Sequence, residues 1–312
     1  MSLLKPRRIA PGATIGIVSP SSPIDPEKLE KGLQPFYQRG YRIVMADHAL
    51  DKRAYLAGTD KDRAADLMKM FADPKIDAIV CSRGGYGAAR LVPYLNAQLV
   101  RDSRKLLAGY SDITVLLLWM LKQAGLMGFY APMPLTMSRH IPDHAYEVMW
   151  RAFEGDQPLG CLPTWDPPFK TLQPGVAEGR ITGGCLCLVA ASVGTSYEID
   201  SKDSIVVIED VDEPPYRLDA FVNQLKLAGK WDDCNGVAIS EDTNWESKVS
   251  EGDDTLTPDE VWQDYFADLG KPVITGFPFG HIADPLTLPF GALARLDAAT
   301  GKLEVLEEAT SA

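Results

Sequence analysis

Cysteine, histidine and basic charge are the scarce features of this 312-residue chain, and each shortage removes a class of function. The five cysteines (Cys81, Cys161, Cys185, Cys187, Cys234) are scattered, odd in number and without C-x-x-C spacing. They read as free thiols in a reducing compartment, and predict neither a disulfide framework nor a zinc site. His140 and His144 stand four apart, but Pro142 lies between them and the H-E-x-x-H glutamate is missing, so no metal is expected. Lys and Arg total 31 against 43 Asp and Glu, a net charge of -12. A surface so acidic repels phosphate backbones and anionic lipid, which excludes nucleic acid and membrane as partners. The only basic cluster is Lys5, Arg7 and Arg8. Pro11 and a strand-like run follow it, not an apolar core with a cleavage site, so no secretory signal is expected. The longest apolar stretch, residues 115–121, ends at Lys122 and is too short to span a bilayer. Neither G-x-x-x-x-G-K nor G-x-G-x-x-G occurs, and Asp253, Asp254 and Asp259 lack EF-hand spacing. The expectation is a cytoplasmic protein without cofactor.

What is present is ample apolar residue (46%) and a length that favours two domains. The first half alternates β-branched runs with amphipathic segments. Residues 14–18 read as a strand, ending in Ser19-Pro20-Ser21-Ser22-Pro23. Asp25 then caps a helix with Pro26 at its first position. Strands are expected at 41–45, 76–81 and 105–108, and helices at 60–71, 88–95 and 112–124. Unbroken apolar strands alternating with helices predict an α/β domain with a parallel sheet covered on both faces. Functional groups in such sheets gather at the carboxyl ends of the strands, where Arg83-Gly84-Gly85-Tyr86-Gly87 and Gly109-Tyr110-Ser111-Asp112 both fall. Proline and glycine crowd residues 155–175, which reads as a linker between domains at 1–154 and 176–312. The second domain reads as α+β: a helix at 184–193, a strand at 204–208, a helix at 215–227, a capping box at Thr257-Pro258-Asp259-Glu260, and a hairpin over 292–306.

Several residues carry chemical signals. Ser111 stands between a strand and a helix, where free N–H groups could stabilise an oxyanion. The same position equally suits Ser111 or Asp112 as a helix cap, and Ile113 replaces the second glycine of the G-x-S-x-G elbow. Glycines 84, 85 and 87 permit close backbone approach to a ligand, and Arg83 could grip a carboxylate through paired N–H donors. Glu209, at the end of an apolar strand, is placed to orient a histidine, and His281 is the only histidine of the second half. Cys81, at another strand end, is the alternative nucleophile, although buried strand cysteines are usually inert.

Six motifs in order resemble one family, the LD-carboxypeptidase and microcin-immunity serine peptidases. They are Ile15-Gly16-Ile17-Val18-Ser19-Pro20-Ser21-Ser22; Ser82-Arg83-Gly84-Gly85-Tyr86-Gly87; Gly109-Tyr110-Ser111-Asp112-Ile113-Thr114; Gly183-Gly184-x-Leu186; Glu209-Asp210-x-x-Glu213-x-Pro215-Tyr216-Arg217-Leu218-Asp219; and Gly280-His281 with Leu286-Thr287-Leu288-Pro289-Phe290-Gly291. The resemblance implies a Ser–His–Glu triad across a domain interface: Ser111 as nucleophile, His281 as general base and acid, Glu209 as its orienting acid. It implies an oxyanion hole from the N–H groups of Gly85 and Asp112; Arg83 is the candidate for the substrate's free carboxylate, with Tyr86 beside it as a further substrate contact. It further implies a metal-free cytoplasmic homodimer, with a Rossmann- or flavodoxin-like N-terminal domain and a barrel-like C-terminal one. Two activities compete within the family. One releases the terminal D-alanine of murein tetrapeptides during cell-wall recycling; the other cleaves a toxic aminoacyl-nucleotide, for which Trp165 could stack on the base. Cys185, where many relatives carry asparagine, and Ser240-Glu241-Asp242, in place of a glycine-containing turn, depart from the pattern. The non-catalytic alternative is a peptide- or sugar-binding module on a peptidase scaffold.

Overall fold

The apolar runs of the first half form β1 (Thr14–Val18), β2 (Arg42–Met45), β3 (Ala78–Cys81), β4 (Leu106–Gly109) and β5 (Gly128–Tyr130) in a computed structural model that describes residues 3–163, 169–250 and 252–312. Trp165 lies outside the described residues. The five strands are parallel, in the order β2–β1–β3–β4–β5. This is the doubly wound, flavodoxin-type order. Every residue of β1, β3 and β4 is buried, as a sheet covered on both faces requires. The helix Pro26–Gln38 begins as expected, with Asp25 accepting the Lys28 N–H and Pro26 in the first turn. Two segments depart from a plain helix. Residues 88–94 form a 3₁₀ turn, shortened by Pro93, which lacks a donor. The segment after β4 opens as a 3₁₀ turn (Ser111–Ile113), becomes α-helical (Thr114–Trp119) and ends in a π turn (Met120–Ala124).

The second half adds β6 (Gly160–Cys161), β7 (Lys170–Gln173), β8 (Val176–Cys185), β9 (Ser204–Val211), β10 (Gly236–Thr243), β11 (Val273–Thr275), β12 (Leu288–Phe290), β13 (Leu293–Asp297) and β14 (Lys302–Val305). Eight of these make one mixed sheet, ordered β6–β14–β13–β8–β9–β10–β11–β7. Its centre, β8 to β11, is parallel, and helices Leu186–Ala191, Pro215–Leu227 and Pro258–Phe266 lie along the crossovers. Antiparallel strands flank that centre, including the expected β13–β14 hairpin. The sheet curls toward a barrel: Thr171 Oγ1 donates to Ala298 O at 2.6 Å and Ala298 N–H to Gly175 O at 2.9 Å, bringing the β7 edge back to the hairpin turn. The proline- and glycine-rich 155–175 stretch supplies the edge strands β6 and β7.

The two sheets share a core. Ile205, Val207, Ala238, Ile274 and Phe277 of the second half pack in the same buried cluster as Ile15, Ile79 and Leu107 of the first. One strand crosses over completely: β12 lies antiparallel on β5, so Leu288–Phe290 extends the first sheet. That crossing brings the carboxyl ends of β4 and β5 beside those of β8 and β9.

Candidate active site

Ser111 holds φ at +64°, a left-handed conformation uncommon for a residue with a Cβ. Such strain persists only where surrounding contacts enforce it, and it concentrates at functional sites. The neighbouring turn is built to receive the side chain. A Cβ on Gly84 would lie 2.7 Å from Ser111 Cβ, 2.9 Å from its Oγ and 3.2 Å from Asp112 N. Only glycine fits there without displacing the serine. Neither Ser111 nor Asp112 caps the helix through its side chain. The buried Asp112 carboxylate reaches elsewhere, accepting Ser21 Oγ at 2.6 Å and Ala88 N–H at 2.8 Å. Burial raises its pKa against the pull of those two donors and of Arg63.

Asp112 thereby ties together the 19–23 and 83–87 turns. Arg63 fastens the same turns from below, donating to Pro20 O and, at 3.1 Å, to Gly87 O, while pairing with Asp60 at 2.6 Å. Gly85 is exposed with φ at +113°, and a Cβ there would fall 2.4 Å from Ser22 Oγ. That hydroxyl accepts the Tyr86 N–H at 3.2 Å. Arg83 is half-buried, its Nη1 on Pro23 O and its Nε on Gly84 O, each at 3.2 Å. Burial lowers its pKa. Tyr86 is 53% exposed, its ring against that of Tyr55 at 5.8 Å.

Glu209 ends the apolar stretch of β9 and is 1% exposed. Its Oε2 receives His281 Nδ1 at 2.7 Å and the His281 backbone N–H at 3.2 Å, and its Oε1 accepts the Tyr130 hydroxyl. Gly280 makes this approach possible: a Cβ there would sit 2.4 Å from Glu209 Cδ. Burial alone would raise the Glu209 pKa, but the charge of His281 and the hydrogen bonds from His281 and Tyr130 outweigh it and hold the carboxyl below its ordinary value. Burial likewise opposes protonation of His281, and Glu209, with Asp210 and Asp212, overcomes it and raises the imidazole. With Nδ1 engaged by a carboxylate, Nε2 is left to accept a proton. The imidazole side chain keeps 19% of its exposure and packs on the Tyr110 ring at 4.9 Å.

The structure therefore brings Ser111, Glu209 and His281 together, through a residue that the sequence reading missed. Tyr130 Oη accepts the Ser111 N–H at 3.2 Å while donating to Glu209. Its ring is clamped by Phe290, stacked at 5.2 Å, and by Phe279 at 5.9 Å. Among the described residues, Ser111 Oγ makes no direct hydrogen bond to His281. A tyrosine at the carboxyl end of a strand was the available signal, but the three-residue β5 is too short for periodicity to reveal it.

The remaining candidates divide. Cys81 is fully buried and burial pushes its thiol up, so it packs rather than reacts. Cys185 N–H donates to Thr114 Oγ1 at 3.1 Å, joining the end of β8 to the helix after Ser111. Ser240 Oγ donates to Phe279 O at 2.7 Å and Thr243 Oγ1 to His281 O at 3.1 Å, so β10 holds the histidine loop in place. Asp242 accepts Trp262 Nε1 at 3.0 Å.

Comparison with known proteins places the chain in a family. The LD-carboxypeptidase N-terminal domain matches residues 15–131, and the LD-carboxypeptidase C-terminal domain matches residues 178–296. The chain is 33% identical over 318 residues to a probable murein peptide carboxypeptidase of Bacillus subtilis, covering 98% of this chain and 95% of that one. It is 28% identical over 289 residues to a murein tetrapeptide carboxypeptidase of Pseudomonas aeruginosa, covering 91% and 92%. Its fold superposes on the wild-type apo structure of the microcin C7 self-immunity protein MccF with a TM-score of 0.89, at 24% identity, over 99% of this chain and 100% of that chain. The chain belongs to the LD-carboxypeptidase family and is a serine-type carboxypeptidase.

Proposed function

We propose that this protein hydrolyses the LD amide bond that releases the terminal D-alanine from murein tetrapeptides, through an acyl-enzyme on Ser111. The observation that carries the reading is the hydrogen-bonded chain Ser111–Tyr130–Glu209–His281, which joins residues from both sheets. In this mechanism His281 Nε2 takes the Ser111 hydroxyl proton as Oγ attacks the carbonyl carbon. The buried Glu209 carboxylate fixes the tautomer and stabilises the imidazolium. The N–H groups of Gly85 and Asp112 receive the oxyanion beside Ser111, a contribution of about 3–4 kcal/mol in comparable sites. His281 then returns the proton to the leaving D-alanine amine, and water, activated by the same imidazole, releases the enzyme. A carboxypeptidase must also recognise a free carboxylate, and Arg83, beside the 84–85 turn, supplies a matching charge. Tyr86, exposed next to it, offers a ring to the substrate. The names of the two murein relatives support a murein peptide substrate.

The test is incubation with murein tetrapeptide, and separately with an aminoacyl-nucleotide, followed by mass spectrometry. Release of D-alanine by the wild type and not by Ser111→Ala is expected. Turnover of the aminoacyl-nucleotide alone would reassign the substrate, and binding without turnover of either would leave a binding module.

A further inference from the structure

On the helix side of the second sheet, next to Glu209, lies a cluster that the reaction above does not use. Cys185 ends β8, Cys187 stands in the first turn of the following helix, and Asp210 follows Glu209 on β9. Cys185 Sγ is 3.4 Å from Cys187 Sγ and 3.5 Å from Asp210 Oδ1, and the three groups offer ligand atoms that all lie within 4.8 Å of one another. Asp210 is held rigidly for this role. It is 1% exposed, its Oδ2 accepting Cys187 N–H at 2.8 Å and its Oδ1 the Val211 N–H at 2.9 Å.

We propose that Cys185, Cys187 and Asp210 form a binding site for a thiophilic divalent cation of the zinc and cadmium type. The distances fit the chemistry. Tetrahedral zinc, with Zn–S near 2.3 Å and Zn–O near 2.1 Å, separates two sulfurs by about 3.7 Å and a sulfur from an oxygen by about 3.6 Å. The two distances from Cys185, 3.4 and 3.5 Å, need adjustments of a few tenths of an ångström, while Cys187 Sγ and the Asp210 carboxylate lie within 4.8 Å and close by at most about 1.2 Å. A disulfide would instead require the sulfurs to close to about 2.05 Å. Two thiolates and a carboxylate carry three negative charges, one more than a divalent ion neutralises, and leave a fourth position for water. Binding expels the thiol protons to solvent. Cys187 is only partly buried, which gives the ion its route in, whereas Cys185 is closed off. The C-x-C spacing escapes a search for C-x-x-C, and Asp210 is recruited only because β8 and β9 pair in parallel, with Cys185 opposite Glu209.

The binding claim itself stands apart from the proposed reaction and is tested without it. Cadmium titrated into the reduced full-length protein should produce ultraviolet thiolate-to-metal charge transfer that saturates at one equivalent. Cys187→Ser, verified as folded by circular dichroism, should lose that band. In the wild type, cadmium or zinc should shield Cys187 from alkylation as read by mass spectrometry, while the exposed Cys161 serves as the reactive reference. A band that persists in Cys187→Ser, or Cys187 alkylation unchanged by either ion, would overturn the proposal, and the second readout needs no variant that might misfold.

Discussion

Tyr130 Oη stands between the two sheets, donating to Glu209 and accepting the Ser111 N–H at 3.2 Å. It is buried, as is Glu209, so the carboxylate has no water to fall back on. Tyr130→Phe keeps the ring in its clamp of Phe279 and Phe290 while removing only the hydroxyl. The loss of an N–H acceptor and a carboxylate donor in a buried place costs about 1–3 kcal/mol. Urea unfolding should show a decrease of that order, and kcat/KM on the tetrapeptide should fall at least tenfold, because the serine backbone is no longer pinned. Wild-type stability and rate in this variant would mean that the link is idle.

The pH profile follows from the two opposed shifts at the Glu209–His281 pair. His281 is raised above 6.5 by Glu209 despite its burial. As a base it must be neutral, so kcat/KM should fall on acidification through a value above 6.5. Glu209→Gln removes the raising charge. The acid limb should then move to lower pH, and kcat should drop by roughly 10³-fold or more.

The same pair also stabilises the fold over a defined window. His281, raised on folding, contributes fully below its unfolded value near 6.5, and that contribution is lost as pH rises through its folded value. Glu209, lowered on folding, contributes above its unfolded value near 4.5, and its share is lost as pH falls through its folded value. The stability difference between wild type and Glu209→Gln should therefore be greatest between about pH 4.5 and 6.5. Unfolding midpoints measured across pH 3 to 9 check this, and a flat difference would contradict it.

Gly84→Ala isolates the close approach to Ser111. Gly84 is not among the left-handed glycines, so alanine there meets no backbone penalty. Its methyl would fall 2.7 Å from Ser111 Cβ, an atom of a strained turn that cannot swing aside as the tip of a flexible chain would. Displacing the serine by a fraction of an ångström to an ångström should cost about 10²-fold in kcat. Overpacking of this kind costs about 1–3 kcal/mol of stability, so the variant should remain folded. Kinetics and a thermal melt on one preparation separate the two effects.

The order of these elements was legible because burial imposes it. Residues 78–81 and 106–109 are buried throughout, which forces the continuous apolar runs that mark a parallel strand. The helix at Pro215–Leu227 and the capping box at Thr257 were equally readable, since each rests on contacts a few residues apart. Ser111 could not be told from a cap by its own neighbours. Its distinguishing features are a positive φ and the missing Cβ at Gly84, and both depend on chain that arrives from 27 residues earlier. Tyr130 and the return of β12 to the first sheet were invisible for a related reason. Three-residue strands carry no period, and their pairing is fixed only when the two halves meet.

Arg83 provides the sharpest test of what kind of bond the enzyme cuts. Its Nε and Nη1 are occupied by Gly84 O and Pro23 O, and its Nη2 has no hydrogen-bond partner among the described residues. A guanidinium fixed in this way presents its remaining donors without further loss of side-chain freedom. If it receives the terminal carboxylate of the tetrapeptide, Arg83→Ala removes a charged hydrogen bond worth about 1.5–3 kcal/mol. That contact exists before and during the reaction alike, so KM should rise roughly 10- to 100-fold with kcat little changed. The tetrapeptide with a C-terminal amide completes a cycle. It should already bind poorly to the wild type, and Arg83→Ala should add no comparable further loss, because the partner charge is gone. Equal losses on the acid and the amide would assign Arg83 to holding the 83–87 turn, and leave the carboxylate to another residue.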